Sequence, residues 1–144
     1  MPLRALTQAI IVAWEAITID DRPDYHRANY RFVEKPITGA SSHRNFYFRN
    51  PAGDDITEQG VARHMITHTF EAVIALHLPE RSTDLFDRPY QEYQALAIRV
   101  ARLAVAQCIA PQVIAWRVEE PEDADEGDLD LVFTITVRTK EAST

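Results

Sequence analysis

Eight carboxylates lie within twelve residues near the end of the chain. They are Glu119, Glu120, Glu122, Asp123, Asp125, Glu126, Asp128 and Asp130, and no base interrupts them. Acids at alternate positions around a glycine are typical of a calcium loop, but Gly127 is fifth from Asp123 instead of sixth, and Thr134 occupies the twelfth position. The register therefore does not fit specific calcium binding. Like charges at this density repel one another, which predicts a segment that moves unless a partner or a cation neutralises it.

Three other groups contain residue types used in catalysis or metal binding. His64 and His68 have the spacing of a helical zinc pair, but the segment that follows is predicted to be a strand, where such side chains stand about 13 Å apart. The Ser-Ser-His run at residues 41–43 lacks a glycine-framed nucleophile motif. Cys108 is predicted to be a buried structural thiol. None of these three groups has the spacing of a metal site, a cofactor site or a catalytic site, so we expect no metal, no cofactor and no enzymatic activity.

Positive charge is scattered along the chain. The sequence has 15 Lys and Arg against 22 Asp and Glu, a net charge of −7; without the eight acids above, 14 acids remain against the 15 bases. Nucleic-acid binding needs a concentrated basic surface, which this distribution does not supply. Arg44 and Arg49 flank the aromatic run at residues 46–48 and are candidates for a small interaction patch. The simpler interpretation of these arginines, and of Arg27 and Arg31, is solvated strand ends.

Length and composition indicate one domain over residues 1–144. The chain is 46% hydrophobic, and surface scaling predicts that about two-thirds of its surface is buried on folding. One cysteine excludes an internal disulfide, and four glycines leave no phosphate-cradling loop. We find no targeting pattern and no apolar run of about 20 residues, so we expect a soluble protein made without export, with no membrane partner.

Hydrophobic periodicity predicts two helices and several strands. Apolar residues at spacings of three and four predict a helix over residues 2–18 and a second from Asp87 to about Ile109, ended by Pro111. Alternation predicts strands at residues 30–35, 46–48, 65–78, 113–118 and 129–137, with a turn or loop at residues 50–55. The order α-β-β-β-α-β-β predicts an α+β fold. We expect a mixed or antiparallel sheet of about 4–5 strands, with both helices on one face and an acidic hairpin tip at residues 119–130.

In the order, length and hydrophobic pattern of its elements, the chain resembles the tail terminator proteins, also called tail completion or minor tail proteins, of long-tailed bacteriophages. The matching segments are MPLRALTQAIIVAWEAI, THTFEAVIALHLPE, PYQEYQALAIRVARLAVAQCI, VIAWRV and LDLVFTITVRTK. The resemblance implies a ring, usually of six subunits, that caps the tail tube, terminates its polymerisation and joins the tail to the head or neck. Its partners would be a tail-tube protein and a head-completion or neck protein. DNA would pass through the lumen without sequence-specific binding, and the protein would reside in the virion tail or neck after assembly in the host cytoplasm.

Within that resemblance, we expect the acidic tip at the lumen of the ring or at an axial interface. A lumenal ring of acids would repel the phosphates of passing DNA. The candidate interface or lumen residues are Glu120, Glu122, Asp123, Asp125, Glu126, Asp128, Arg44 and Arg49. The alternative placement is a simple solvated loop.

Two other functions remain open from the sequence. The first is a small cone-shaped α+β pocket domain, either an enzyme or a ligand-binding protein, that recruits Glu71, His68 and Tyr47. The second is a different head–tail connector or neck protein.

Overall fold

A computed structural model describes residues 2–17, 29–34, 43–59, 63–77, 84–121 and 128–142. Two helices and five strands follow in the order α-β-β-β-α-β-β, which confirms the predicted α+β class. Their bounds are α1 Pro2–Glu15, β1 Arg31–Phe32, β2 Asn45–Gln59, β3 Arg63–His77, α2 Asp84–Ala101, β4 Cys108–Glu119 and β5 Asp128–Ala142.

The five strands form one mixed sheet with the order β1-β2-β3-β5-β4. β1 runs parallel to β2, and every other neighbouring pair is antiparallel. β3 and β5 are paired over their whole length, from Arg63 with Ala142 to His77 with Asp128. β4 and β5 form the closing hairpin that the sequence predicts, and Glu119 with Asp130 is its last pair before the tip.

Both helices cover one face of the sheet, which we call the helix-covered face. Trp14 of α1 and Tyr93 of α2 both contact Phe133 of β5, with ring centroids 6.0 and 5.7 Å apart. The indole N–H of Trp14 also donates a hydrogen bond to the carbonyl oxygen of Leu96, at 3.2 Å, and so ties α1 to α2. Residues of β3 and β5 that share this face are buried among the helices, as Ile74 and Phe133 illustrate. Neither described helix has the length and apolar composition needed to cross a membrane.

The second helix ends earlier in the chain than predicted. α2 stops at Ala101, and Cys108 already begins β4, so the prediction of a helix to Ile109 is wrong. The helical spacing misleads because Leu103 and Cys108 do pack against the core, but from the turn and the strand that follow. Pro111 lies within β4, where it is tolerated because β4 is an edge strand with a register shift between Ile109 and Gln112.

Other boundaries also differ from the prediction. α2 begins at Asp84 instead of Asp87, so Pro89 lies inside the helix and not in its first turn. A proline at that position removes one backbone N–H donor and its ring crowds the carbonyl of the residue four positions earlier. The predicted loop at residues 50–55 is part of β2, and a bulge between Arg49 and Ala52 absorbs the irregularity. Pro51 fits there because β1 pairs only with the first two residues of β2, so Pro51 has no neighbour on its outer side among the described strands.

Candidate functional site

One acid of the acidic hairpin, Asp128, is anchored to the sheet. Asp128 is 6% exposed, and its Oδ1 lies 2.5 Å from Nδ1 of His77 on β3. Asp130 is partly buried and faces Glu119 directly across the β4–β5 ladder. Glu120, at the end of β4, is exposed. The other candidates at the tip, Glu122, Asp123, Asp125 and Glu126, lie outside the described residues, so their lumenal or axial placement stays a prediction.

Arg44 does not contribute to a surface patch, because its side chain is fully buried. Its Nε donates to Oε1 of Glu92 on α2, at 2.5 Å, and its guanidinium lies 5.6 Å from the ring centroid of Tyr30. The Tyr30 hydroxyl donates to the other oxygen of Glu92. Burial raises the pKa of Tyr30 well above its usual value, and the Glu92 carboxylate raises it further, so the hydroxyl remains a donor. Arg44 therefore ties the start of β2 to α2.

Arg49 belongs to a closed ring of four alternating charges on the helix-free face of the sheet. We call Arg49, Glu71, Arg117 and Glu119 the charge ring. Arg49 is 2.8 Å from Glu71, Glu71 is 3.1 Å from Arg117, Arg117 is 2.6 Å from Glu119, and Glu119 is 3.4 Å from Arg49. The ring connects β2, β3 and β4, and it crosses above β5. Arg49 is thus part of an interaction network within one subunit.

The charge ring lies over two valines that are separate from the main core. Val73 and Val132 are both completely buried and are paired across β3 and β5. They alternate with core residues such as Ala72 and Phe133, so they face away from the helices. No described helix covers this face. Tyr47 is paired with Val73 and Arg117 with Val132, and long side chains such as these shield apolar neighbours from water.

The charge ring and the acidic hairpin have opposite effects on carboxylate ionisation. Burial opposes ionisation of Glu71, but hydrogen bonds from Arg49, Arg117 and Asn50 outweigh it and lower the pKa of Glu71. Burial raises the pKa of Asp130 to about 6; Arg49 opposes this rise, and the neighbouring Glu119 and Asp128 add to it. No described side chain donates a hydrogen bond to Asp130. This acid is therefore held in a setting that disfavours its charge.

An exposed apolar surface lies along β4, at the edge of the sheet. Its members, which we call the edge patch, are Tyr90 at 48% exposure, Ile114 at 54%, Trp116 at 37% and Val118 at 39%. The Trp116 ring stacks on Tyr93 with centroids 5.3 Å apart and lies 6.2 Å from Tyr90. These ring contacts hold the Trp116 side chain in place beside the edge strand. Large apolar groups beside an open strand are typical of a protein contact surface.

Sequence reasoning missed the edge patch, although it predicted the strand that carries it. Alternation in VIAWRV indicates a strand with one apolar face, but it does not tell whether that strand lies in the middle or at the edge of the sheet. The register of the whole sheet, with β5 inserted between β3 and β4, places Trp116 and Val118 at the edge.

The residues proposed for an enclosed polar pocket do not converge. Tyr47 and Glu71 lie on the helix-free face, as the pairing of Tyr47 with Val73 and the charge ring require. His68 lies on the opposite face, where its Nε2 is 3.1 Å from the hydroxyl of Thr139. No group of three or more His, Cys, Asp or Glu within the described residues is arranged to hold a metal ion. This separation disfavours the pocket-domain alternative.

No protein-family model matches the chain, and no curated protein matches it significantly.

Proposed function

We propose that the chain is a structural protein of the tail-terminator type, which forms a ring on the end of a phage tail tube, stops its growth and joins it to the head or neck. The observation that carries the proposal is the edge patch beside the open edge of β4. Aromatic and aliphatic side chains that are 37% to 54% exposed at one side of the molecule are a suitable surface for lateral association. Such a role requires no catalytic group.

The two sides of the sheet support a ring rather than a stack. A closed ring needs a heterologous contact, in which one surface of a subunit meets a different surface of the next. β4 ends the sheet on one side; on the other, β1 covers only Asn45 and Phe46 of β2 among the described strands. β2 and β4 run in opposite directions, because three antiparallel pairings separate them. Subunits rotated about an axis along the strands would therefore meet as antiparallel edges.

The acidic hairpin fits a position at the lumen or at an axial interface of this ring. Glu120 is exposed, and Asp128 is fixed by its contact with His77, so the negative charge is attached firmly to the end of the sheet. A cyclic arrangement would repeat that charge around the axis. Repulsion of DNA phosphates, or attraction of a basic neck protein, would follow.

The proposal is tested by binding to purified tail tubes. We expect the wild-type protein to form rings at tube ends in negative-stain electron micrographs and to prevent further addition of tube protein. Trp116→Ser is expected to reduce the fraction of capped ends at least tenfold. Val12→Ser is the matched control, because Val12 is an apolar residue of α1 that is 68% exposed and is not a member of the edge patch.

Both variants are first checked for folding by circular dichroism. Capping by Trp116→Ser at the wild-type level would remove the observation on which the proposal rests. A protein that binds the neck side but not the tube would indicate the other class of head–tail connector.

A further inference from the structure

The outer edge of β4 is blocked from pairing with another strand in its first half. In its second half it can pair. Pro111 has no N–H to donate, and register shifts interrupt the strand between Ile109 and Gln112 and between Val113 and Ala115. Residues 115–119 then pair with β5 at five consecutive positions. Proline and bulges are the usual devices that prevent edge-to-edge contact. Among the described strands, the regular second half has no neighbour on its outer side.

Side chains on this open segment are divided between two faces. Trp116 and Val118 lie on the helix-covered side, paired with Phe133 and Leu131, and both are more than a third exposed. Arg117 and Glu119 lie on the other side, in the charge ring. The open segment thus presents backbone groups flanked by an apolar row and a row of two opposite charges.

The charge pattern of this segment is complementary to itself. In an antiparallel pair centred on Val118, Arg117 of one copy stands opposite Glu119 of the other, and Glu119 stands opposite Arg117. The two Val118 side chains meet on the axis, and each Trp116 lies diagonally beside the Val118 of the second copy. Opposite charges and apolar groups across a strand pair stabilise it. A second copy of this chain is therefore the occupant that the segment fits best.

We infer that two free copies of the protein pair through residues 116–120, at the end of β4, as an antiparallel dimer with a two-fold axis at Val118. In this register each Trp116 stands opposite Glu120 of the second copy, the exposed residue that directly follows β4. The pairing joins two five-stranded sheets into one and merges two charge rings. The pairing itself depends on the Arg117–Glu119 and Val118–Val118 contacts across the axis. The role of this dimer rests on the proposed function. The dimer occupies the β4 edge that the heterologous contact of a closed ring needs, so it delays ring closure until a tube end competes for that edge.

Single-cysteine crosslinking tests the pairing. Cys108→Ser removes the native thiol and keeps a donor for the carbonyl of Pro2, which Sγ reaches at 3.4 Å. In that background, Val118→Cys places two thiols on the axis, within the distance that a disulfide requires. Ile114→Cys is the control on the same strand, because identical positions four residues from the axis are about 26 Å apart. We expect Val118→Cys to form the crosslinked dimer at least tenfold faster under mild oxidation.

A heterologous contact keeps identical positions apart, so it forms no crosslink between two single cysteines at the interface. Equal rates for Val118→Cys and Ile114→Cys would therefore overturn the two-fold pairing. Light scattering gives an independent readout: the wild-type chain of 16.4 kDa is expected to elute as a dimer at micromolar concentration. Val118→Lys, which brings two like charges together on the axis, is expected to elute as a monomer, and Ile114→Lys as a dimer.

The crosslinking and tube-capping assays separate the two proposals. Fast crosslinking of Val118→Cys with no binding of the reduced protein to tube ends would leave the pairing standing and contradict the proposed function. Capped tubes with slow crosslinking and a monomeric wild-type chain would do the reverse.

Discussion

Asp130→Asn is expected to make the protein more stable at neutral pH. Burial raises the pKa of Asp130 from 3.8 to about 6, and Glu119 and Asp128 contribute in the same direction. Glu119 is directly opposite Asp130 in the ladder, and like charges in that arrangement destabilise a strand pair. Asparagine keeps the size of the side chain and removes the charge.

The magnitude follows from the shift in pKa. A shift of about two pH units corresponds to about 3 kcal/mol, because one unit is about 1.4 kcal/mol. Asp130 is partly solvated, so screening reduces the effect and we expect a gain of about 1 to 2 kcal/mol. A pKa that is higher in the folded state contributes stability below the unfolded pKa, and this is lost as the pH rises through the folded pKa. The gain should therefore be near zero at pH 4 and complete above pH 7.

Urea unfolding of both proteins from pH 4 to pH 8.5 measures this difference. The free energy of unfolding of the variant minus that of the wild type cancels the contributions of groups that both proteins share, including Glu71. Titration of the Asp130 carboxyl carbon by NMR should give a midpoint near pH 6, as the burial predicts.

Glu120→Gln is the matched control, because it removes one charge from the same hairpin at an exposed position. We expect it to change stability by less than about 0.5 kcal/mol. A gain for Asp130→Asn that does not vary with pH, or an equal gain for Glu120→Gln, would refute a burial penalty at Asp130 and point to net charge alone.

Three further changes probe the interior and the charge ring. Glu92→Ala leaves Arg44 buried without its carboxylate and is expected to cost about 3 to 5 kcal/mol in urea unfolding; a loss below about 1 kcal/mol would contradict the ion pair. Glu71→Gln removes the charge that both arginines of the charge ring contact, and is expected to cost about 1 kcal/mol at low salt and less at high salt. Trp14→Phe removes the hydrogen bond to Leu96 and should cost about 1 to 3 kcal/mol by thermal unfolding.

The faces of the central strands could be predicted from the sequence, since β3 and β5 are covered by helices on one side only. Ile74 and Phe133 illustrate the apolar parity that results. The end of α2 could not be predicted, because Leu103 and Cys108 continue the helical spacing while they reach the core from a turn and a strand. Spacing records which residues are buried, and more than one backbone path can bury them.

The charge ring could not be predicted from spacing, since it depends on the register of four strands. Arg49 and Glu119 are 70 residues apart in the chain. The strand order places their strands on either side of the β3–β5 pair, and their side chains meet across it. The burial of Arg44 could not be predicted from spacing either, because its carboxylate partner, Glu92, lies on a helix that is distant in the sequence. Only local features of the candidate site, such as the acidic hairpin, follow from the sequence.

The charge ring bears on where this molecule associates with others. Without it, Val73 and Val132, which are paired across β3 and β5, would add apolar surface to the helix-free face and favour contact between two such faces. The ring of Arg49, Glu71, Arg117 and Glu119 places fixed, mutually neutralising charges over these valines. Stacking on that face would desolvate them without new partners. The edge patch of β4 is then the apolar surface best placed for contact. A heterologous contact there, between β4 of one subunit and β2 of the next, leads to lateral growth, whereas the two-fold pairing of β4 with β4 closes after two copies. Lateral growth is the geometry that a ring on a tube end requires.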